Sequence, residues 1–286
     1  LILKELGKKG WLGNLIDYPN LVRLNPSIPW KTRGNGATVI RLDLPHELLC
    51  RLKEIILSTY RKYVSNFSEG SGRDPGIVIY LGNVASELRW LYRKALTDIV
   101  TIDVVKRLAN KLGIEILVDG HGIIGATASI GALVDEDCTY ELLTYRDPRN
   151  YFKRRSIDPN SVIRLDKELR HTFNNYDYEV SKVLITPRGF DPVLFGIRGD
   201  NPEELLRAIE IIKCGEEILG WVIFRTNQGT NAHLIRRSIS SLRPYMTALV
   251  RGRVVEAPKV VKGGDVFMHV NDGTDTLRIC FFKELG

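Results

Sequence analysis

The stretch from residue 193 to residue 225 constrains the fold more than any other part of the chain. Residues 193–197 and 221–225 are apolar runs that predict buried strands. Between them, Pro202 follows an Asp-Asn pair and precedes two glutamates, which is typical of the first turn of a helix, here over residues 202–213. A strand, a helix and a strand at this spacing require a sheet with a helix packed against one face.

The preceding region repeats this alternation. Apolar runs predict strands at residues 114–118 and 139–145, with a helix of small residues at 126–132 between them. With residues 146–192 set aside as an insertion, the order of elements over residues 114–236 is βαββαβ, the ferredoxin-like arrangement. The predicted fold class is therefore α+β with several domains.

Two further domains are predicted on either side. Residues 1–113 alternate short strands with amphipathic helices, which indicates an α/β domain. Residues 237–286 are rich in strand signals: a strand at 246–256 precedes a hairpin of 266–270 and 276–282 around an Asn-Asp-Gly-Thr turn. Such strands are typical of the start of an OB-fold barrel, and the chain ends before that barrel would close.

The charge balance indicates the class of partner. The chain has 41 Lys and Arg against 34 Asp and Glu, and the net charge of +7 favours a polyanion such as RNA. The four cysteines form no Cys-x-x-Cys pair, so no zinc site and no other metal ligands are predicted within the chain. No apolar run reaches the ~18 residues of a membrane span, and no secretory signal is present. We predict a cytoplasmic protein without a membrane partner.

Residues 25–37 are the first candidate for binding chemistry. Prolines and a tryptophan stiffen the first half of this stretch. The second half combines cations, glycines and an asparagine: Lys31, Arg33, Gly34, Asn35 and Gly36. A backbone turn of this kind can approach an anion closely while the cations supply charge. The alternative is an ordinary Gly-Asn-Gly loop leading into a strand, which the spacing alone favours.

Polar residues also follow two later strands. Arg225, Asn227 and Gln228 come directly after a buried strand, where such side chains commonly grip a nucleotide or a small polar ligand. A hydrogen-bonded linker is the alternative. Arg198 lies between a strand and a helix N-terminus, a position suited to an anion. A solvated arginine in a βα turn is the alternative there.

Three weaker patterns remain open. The GxGxxG at residues 120–125 has the form of a dinucleotide fingerprint, but no doubly wound repeat surrounds it, which favours close helix packing and a packing role for His121. Asp177 lies in an Asn- and Asp-rich loop that suits either a cationic ligand or turn chemistry. The basic cluster over residues 146–155 suits either RNA phosphates or a solvated loop.

Taken together and in order, these stretches resemble one family. The motifs that carry the resemblance are residues 18–37, Asp74-Pro75-Gly76, residues 122–126, Thr139-Tyr140-Glu141-Leu142 with Tyr145-Arg146, residues 173–177, residues 192–199 and residues 224–230. They are similar to the archaeal isoleucine-tRNA 2-agmatinylcytidine synthetases over nearly the whole chain. The resemblance implies a kinase-like ATP-binding domain at 1–113, a ferredoxin-like domain at 114–236 and an incomplete OB-fold at 237–286.

The resemblance also implies an activity. A ligase of this family uses ATP to phosphorylate the C2 oxygen of the wobble cytidine in the anticodon loop of an isoleucine tRNA. The primary amine of agmatine then displaces phosphate, and AMP and two phosphates are released. The implied cofactors are ATP and Mg²⁺, the implied partners are this tRNA and agmatine, and no obligate protein partner is expected. The family's acidic Asp-Asp-Thr-Asp run, which would hold Mg²⁺, is expected upstream of Leu1.

The resemblance assigns roles to the candidate residues. Catalytic roles fall to Lys31 and Arg33. The predicted phosphate contacts are Gly34, Asn35, Gly36, Arg198 and Arg225. The predicted contacts to agmatine or the base are Glu141, Asp177, Asn227 and Gln228. The predicted tRNA contacts are Arg149, Arg154, Arg155 and Arg243. Because the acidic motif is missing, a non-catalytic RNA-binding module with the same fold remains an alternative.

Overall fold

The computed structural model describes residues 1–31, 35–63, 74–132, 137–187, 189 and 192–283. The α-helices in these ranges are Ile2–Lys8, Leu49–Tyr63, Ser86–Thr97, Ile102–Leu112, Ile123–Ile130, Pro159–Glu168 and Pro202–Ile211. The strands are β1 (Asn20–Arg23), β2 (Gly36–Val39), β3 (Ile77–Ile79), β4 (Glu115–Val118), β5 (Thr139–Arg146), β6 (Thr172–Phe173), β7 (Tyr176–Asp177), β8 (Lys182–Val183), β9 (Val193–Gly199), β10 (Ile218–Thr226), β11 (Arg253–Val254), β12 (Lys259–Val260), β13 (Val266–Asn271) and β14 (Thr276–Phe281). None of the helices in the described ranges has the length and apolar character to cross a membrane.

Six strands form the main sheet, in the order β2-β1-β10-β5-β9-β6. Strand β1 pairs in parallel with β10, whereas the other pairs are antiparallel. From β5 to β10 the chain runs β5, helix Pro159–Glu168, β6, β9, helix Pro202–Ile211, β10, and the separate β7–β8 pair lies between β6 and β9. This is a βαββαβ unit whose strands lie in the order β10-β5-β9-β6.

The predicted membership of the βαββαβ unit is wrong at its start. The strand expected to begin it, β4, pairs with β3 in a separate two-stranded sheet. Residues 146–192, set aside as an insertion, supply the first helix and the second strand of the unit. The two-residue strand β6 is too short to show an alternating pattern, which is why the sequence did not reveal it.

The two faces of β5 and β9 have different environments. Leu142 and Ile197 are fully buried and belong to a core that includes Leu165 and Leu205 of the two helices. Because side chains alternate along a strand, Glu141 and its neighbours of the same parity point to the opposite face. That second face carries no helix of the unit and forms one wall of the cavity described below.

Strands β1 and β2 extend the same sheet from the N-terminal part of the chain. Val22 of β1 is fully buried with residues of three helices: Ser86–Thr97, Ile102–Leu112 and Ile123–Ile130. The sheet therefore crosses the predicted domain boundary between residues 113 and 114. The predicted domain limits stay predictions.

The C-terminal strands form a separate small antiparallel sheet. The predicted hairpin is present as β13 and β14, which pair in register from Val266↔Phe281 to Asn271↔Thr276. The predicted strand over residues 246–256 is wrong, since only β11 is extended within it. The backbone amide of Thr247 instead donates to the carbonyl of Thr97 at a helix end, and Leu249 forms an isolated parallel bridge with Arg236.

Glycines allow two segments to meet without side chains between them. A Cβ on Gly122 would overlap the backbone of Gly76, and a Cβ on Gly76 would overlap the backbone of Ile123. The amide of Gly122 donates to the carbonyl of Asp74 at 2.9 Å. The GxGxxG pattern therefore reflects close backbone packing, as the absence of a doubly wound repeat indicated.

We expect Gly122→Ala to lower the free energy of unfolding by about 1–3 kcal/mol, because the added methyl group forces two backbones apart. The matched control is Gly125→Ala, three residues on in the helix. A Cβ there meets the Leu24 Cδ1 atom at 3.4 Å, and alanine favours a helix interior. Urea denaturation checks this, and equal stability of the two variants would contradict the packing argument.

Candidate functional site

A cavity of about 1420 Å³ opens along the uncovered face of the main sheet. Its walls come from β1, β2, β5 and β9, from residues 74–76 and 120–126, and from residues 98–102 and 182–187. Five of the predicted site residues line it: Lys31, Asn35, Gly36, Glu141 and Arg198. Arg33 and Gly34 lie outside the described residues.

Glu141 is the centre of the polar wall. Its side chain is buried, and its Oε1 atom lies 3.3 Å from Nε of Arg198, directly across the strand pair. Its Oε2 atom lies 3.9 Å from Nη2 of Arg23 and also accepts a hydrogen bond from Nε2 of Gln228. The carboxylate predicted to bind agmatine is therefore already engaged by three partners from β1, β9 and the segment after β10.

This cluster places two guanidinium groups beside one carboxylate at the cavity wall. Desolvation is the main cause that lowers the pKa of Arg23, and the nearby charge of Arg198 lowers it further, while Glu141 raises it. Two guanidinium groups thus share one buried carboxylate. An additional anion in the cavity would relieve their repulsion.

Asn227 joins the two parts of the chain. Its Oδ1 atom accepts from the amide of Arg23 at 2.8 Å, and its Nδ2 atom donates to the carbonyl of Arg23 at 2.9 Å. The same Nδ2 donates to the hydroxyl of Tyr92 at 3.1 Å. The buried Asn227 side chain thus takes the place of a backbone partner for Arg23 at the end of the short β1–β10 pairing. Its hydrogen bonds stabilise the fold.

The loop before β2 is held by its own polar groups. Asn35 has a positive φ of 35°, and its Nδ2 atom donates to the carbonyl of Asn25 at 2.7 Å. The Nζ atom of Lys31 donates to the carbonyl of Ile28 at 3.0 Å. Gly36 opens β2 opposite Arg23. Lys31, Asn35 and Gly36 therefore line the cavity together, and their role in binding an anion stays a prediction.

An Asp-His pair lines another part of the cavity. The Nδ1 atom of His121 lies 2.5 Å from Oδ2 of Asp74, and the amide of His121 donates to the same oxygen at 2.9 Å. These two hydrogen bonds lower the pKa of the Asp74 carboxyl, so it is ionised at neutral pH. Both side chains are largely exposed to the cavity, which leaves Nε2 of the imidazole available.

Three other predicted ligand residues are not brought to the cavity. The Nη1 atom of Arg225 donates to Oδ2 of Asp17 at 2.7 Å, beside the ring of Tyr140. The Oδ1 atom of Asp177 accepts from the amides of the next turn, which is the turn chemistry left open above. The Nε2 atom of Gln228 donates to Glu141, and Gln228 lines an adjoining cavity of about 370 Å³.

The arginines of the basic cluster over residues 146–155 have different environments. Arg146 is fully buried and forms a bidentate pair with Glu216, with its Nη2 atom 2.5 Å from Oε1. Arg155 donates to three carbonyls, including that of Val193 at 2.9 Å. Arg149 is paired with Asp147 at 2.8 Å. Arg154, like Arg243 further along, is exposed and stays a candidate for RNA phosphates.

Sequence reasoning missed Arg23 and the Asp74–His121 pair as site residues. Arg23 ends the strand before the loop at 25–37, and that position next to a candidate loop was its available signal. Asp74 lies in the Asp-Pro-Gly motif that carries part of the resemblance, and His121 lies in the GxGxxG pattern, for which the sequence favoured a packing role. Nothing local to either motif shows that the two meet across 47 residues.

Comparison with known proteins decides the family. Residues 1–45 match the model of the TiaS TCKD domain and residues 120–233 match that of the TiaS FLD domain. The tRNA(Ile2) 2-agmatinylcytidine synthetase TiaS of Hyperthermus butylicus is 41% identical over 95% of this chain and 67% of its own length. The chain belongs to the TiaS family. The TiaS of Ignisphaera aggregans is 42% identical over 99% of this chain and 64% of its own length. This confirms the resemblance, and the chain spans about two thirds of the length of these relatives.

Solved structures agree with the TiaS assignment. A TiaS–tRNA(Ile2)–ATP complex has a TM-score of 0.84 and 32% identity, and the match covers 99% of this chain and 67% of that one. A TiaS–tRNA(Ile2)–AMPCPP–agmatine complex has a TM-score of 0.82 and 31% identity, over 99% and 68% of the two chains. The mixed α/β architecture described above is therefore the TiaS architecture.

We expect Glu141→Gln to lower the free energy of unfolding by about 2 kcal/mol. The amide keeps the shape of the side chain, but it removes the negative charge that Arg23 and Arg198 share. Lys111→Ala, which breaks the exposed 2.8 Å pair with Glu87, is the control and should change stability by less than about 1 kcal/mol. A Glu141→Gln protein as stable as the control would show that the carboxylate does not hold the cluster together.

Proposed function

We propose that this chain carries out the TiaS reaction, in which agmatine replaces the C2 oxygen of the wobble cytidine of tRNA(Ile2) at the expense of ATP. The observation that carries the proposal is the large cationic cavity in a chain of this family. Its volume of about 1420 Å³ exceeds the usual range for a single small ligand, so it suits a nucleotide, a base and an amine together.

The phosphate-binding part of the proposal rests on charge. Lys31 and the Arg23–Arg198 pair line the same cavity, and phosphoryl transfer depends mainly on positioning and on neutralising charge. Asn35 and Gly36 add a tight turn whose backbone can approach an anion. We assign ATP to this wall, together with Arg33 and Gly34 of the same loop. Arg225 is bound to Asp17 and has a structural role in this proposal.

Mg²⁺ has no evident holder in the described part of the chain. No group of three or more His, Cys, Asp or Glu residues there is arranged to bind a metal ion. The described carboxylates of the cavity wall are dispersed, and Glu141 is engaged by two arginines. We therefore propose no metal ligand among the described residues and no reaction step that depends on one.

The Asp74–His121 pair is our candidate for the proton transfer. The amine of agmatine is protonated at neutral pH and must lose a proton before it attacks C2. Nε2 of His121 can accept that proton while Asp74 orients the ring, as an acid–base pair requires. The C2–N bond forms, the C2–O bond breaks, and phosphate leaves with the oxygen.

The domain assignment follows the corrected topology. We propose that residues 139–226 form the ferredoxin-like domain, because β5 to β10 supply all six elements of a βαββαβ unit. The preceding strands and helices correspond to the kinase-like part, and residues 237–286 to the start of an OB-fold. The exposed Arg154 and Arg243 are the proposed tRNA backbone contacts, and the cytoplasm is the proposed compartment.

The reaction is tested with the complete protein, tRNA(Ile2), ATP and radiolabelled agmatine, followed by nucleoside mass spectrometry. We expect label in the tRNA, and Lys31→Ala or Arg198→Ala to reduce the rate at least about 10-fold. Lys111→Ala is the control, because this lysine is paired with Glu87 and does not line the cavity. RNA binding without ATP use or labelling would favour the non-catalytic RNA-binding alternative.

His121→Gln separates the two half-reactions. We expect agmatine incorporation to fall about 100-fold, because the glutamine cannot accept the proton, while ATP binding is unchanged within about twofold. Asp74→Asn should have a smaller effect on incorporation, since it only disturbs the orientation of the ring. Equal incorporation by wild type and His121→Gln would remove the histidine from the mechanism. Loss of ATP binding in this variant would reassign it to the nucleotide site.

A further inference from the structure

Two aromatic side chains project into solvent at the edge of the cavity. Trp30 is 73% exposed and Tyr245 is 45% exposed. Their ring centroids lie 5.5 Å apart at an angle of 62°, an edge-to-face contact. Trp30 also lines the cavity, so the pair extends from the cavity wall to the outer surface. A pair of this size in water is an unusual use of apolar area for a stable fold.

Asn25 ties the two aromatic segments together. Its Nδ2 atom donates to the carbonyl of Tyr245 at 2.8 Å, and its Oδ1 atom accepts from the hydroxyl of Thr247 at 3.0 Å. The same Oδ1 accepts from the amide of Ser27 at 2.9 Å. Asn25 is fully buried, so this connection between segments about 220 residues apart is shielded from water.

Tyr245 adopts a strained backbone conformation. Its φ of +67° lies in the left-handed region, where glycine or asparagine is the usual residue. Such a conformation costs about 1–3 kcal/mol for a residue with a Cβ. The ring is not buried in a core that offsets this cost, and within the described part of the chain its aromatic partner is Trp30. Strain that no buried contact offsets is the reason why we consider a binding role for Tyr245.

We propose that Trp30 and Tyr245 form a stacking platform for an unstacked nucleobase of the tRNA anticodon loop. This inference rests on the proposed function. In an edge-to-face pair one ring keeps its faces free for a further partner, and single-stranded RNA is bound by stacking its bases on such rings. Arg243, two residues before Tyr245, is exposed and can contact the neighbouring phosphate.

The position of the platform explains why it would be needed. The wobble cytidine must leave its stack before its C2 atom can enter the cavity, and that step removes stacking energy from the loop. A base held on the rim by Trp30 and Tyr245 compensates for part of this loss. ATP is the less suitable occupant, because Tyr245 does not line the cavity in which the phosphate-binding residues lie.

The test measures binding of an anticodon stem-loop RNA of tRNA(Ile2) by fluorescence anisotropy at fixed salt. Trp30→Ala and Tyr245→Ala should each weaken RNA binding by about 5- to 100-fold, the range of one lost base stack. Trp30→Phe, which keeps an aromatic face, should stay within about threefold of wild type. Trp90→Ala is the control, since Trp90 is 54% exposed but does not line the cavity.

Two further measurements separate binding from folding. Tyr245→Gly removes the backbone strain along with the ring, so it should be at least as stable as Tyr245→Ala and still bind RNA weakly. Binding of RNA should quench Trp30 fluorescence, and the quenching should be lost in Trp30→Phe but kept in Trp90→Phe. ATP affinity should remain within about twofold of wild type in every variant.

Unchanged RNA affinity in both alanine variants would overturn the platform, and so would a loss of ATP affinity that matched the loss of RNA affinity. If the wild-type protein incorporates agmatine, either of these results in the variants overturns the platform but not the proposed function. If the complete wild-type protein binds the stem-loop but incorporates no agmatine, the proposed function fails and the platform is judged by the RNA affinities alone.

Discussion

The architecture of the site depends on one buried carboxylate. Glu141 lies in the middle of the main sheet, where an ionised group is stable only if cations and hydrogen-bond donors surround it. Its partners are Arg23, Arg198 and Gln228, which come from three distant parts of the chain. Satisfying this charge therefore assembles the wall that we assign to phosphate. The two guanidinium groups beside this carboxylate are the reason why we assign an anion to that wall.

Close backbone contacts organise the opposite side of the cavity. Gly76 and Gly122 let two segments approach without side chains, and this approach places the Asp74 carboxylate under the amide and ring of His121. Asn25 acts in a similar way further along, since its amide joins the Trp30 loop to Tyr245. In each case a small or polar residue in the interior sets the position of an exposed reactive or aromatic group.

The βαββαβ pattern was recognisable in the sequence, but its members were assigned incorrectly. The helix Pro159–Glu168 begins with the same signals as Pro202–Ile211: a capping side chain, Asp158 or Asn201, followed by proline. The helix was thus accessible to local reasoning. The strand β6 could not be predicted in this way, because it has only two residues and is defined by its pairing with β9. The same limit applies to β4, whose apolar run shows a strand but not which strand it pairs with.

The sequence by itself determined the family and the presence of most helices and strands, and it marked the loop at residues 25–37 as a candidate for binding, because caps, periodicity and motif order are local properties. Only the tertiary structure decided which side chains are available to a ligand. It placed Glu141 and Asn227 among protein partners and brought Asp74 to His121. The reason is physical: a polar side chain binds a ligand only if the fold has not already satisfied it, and its partners lie far away in the chain.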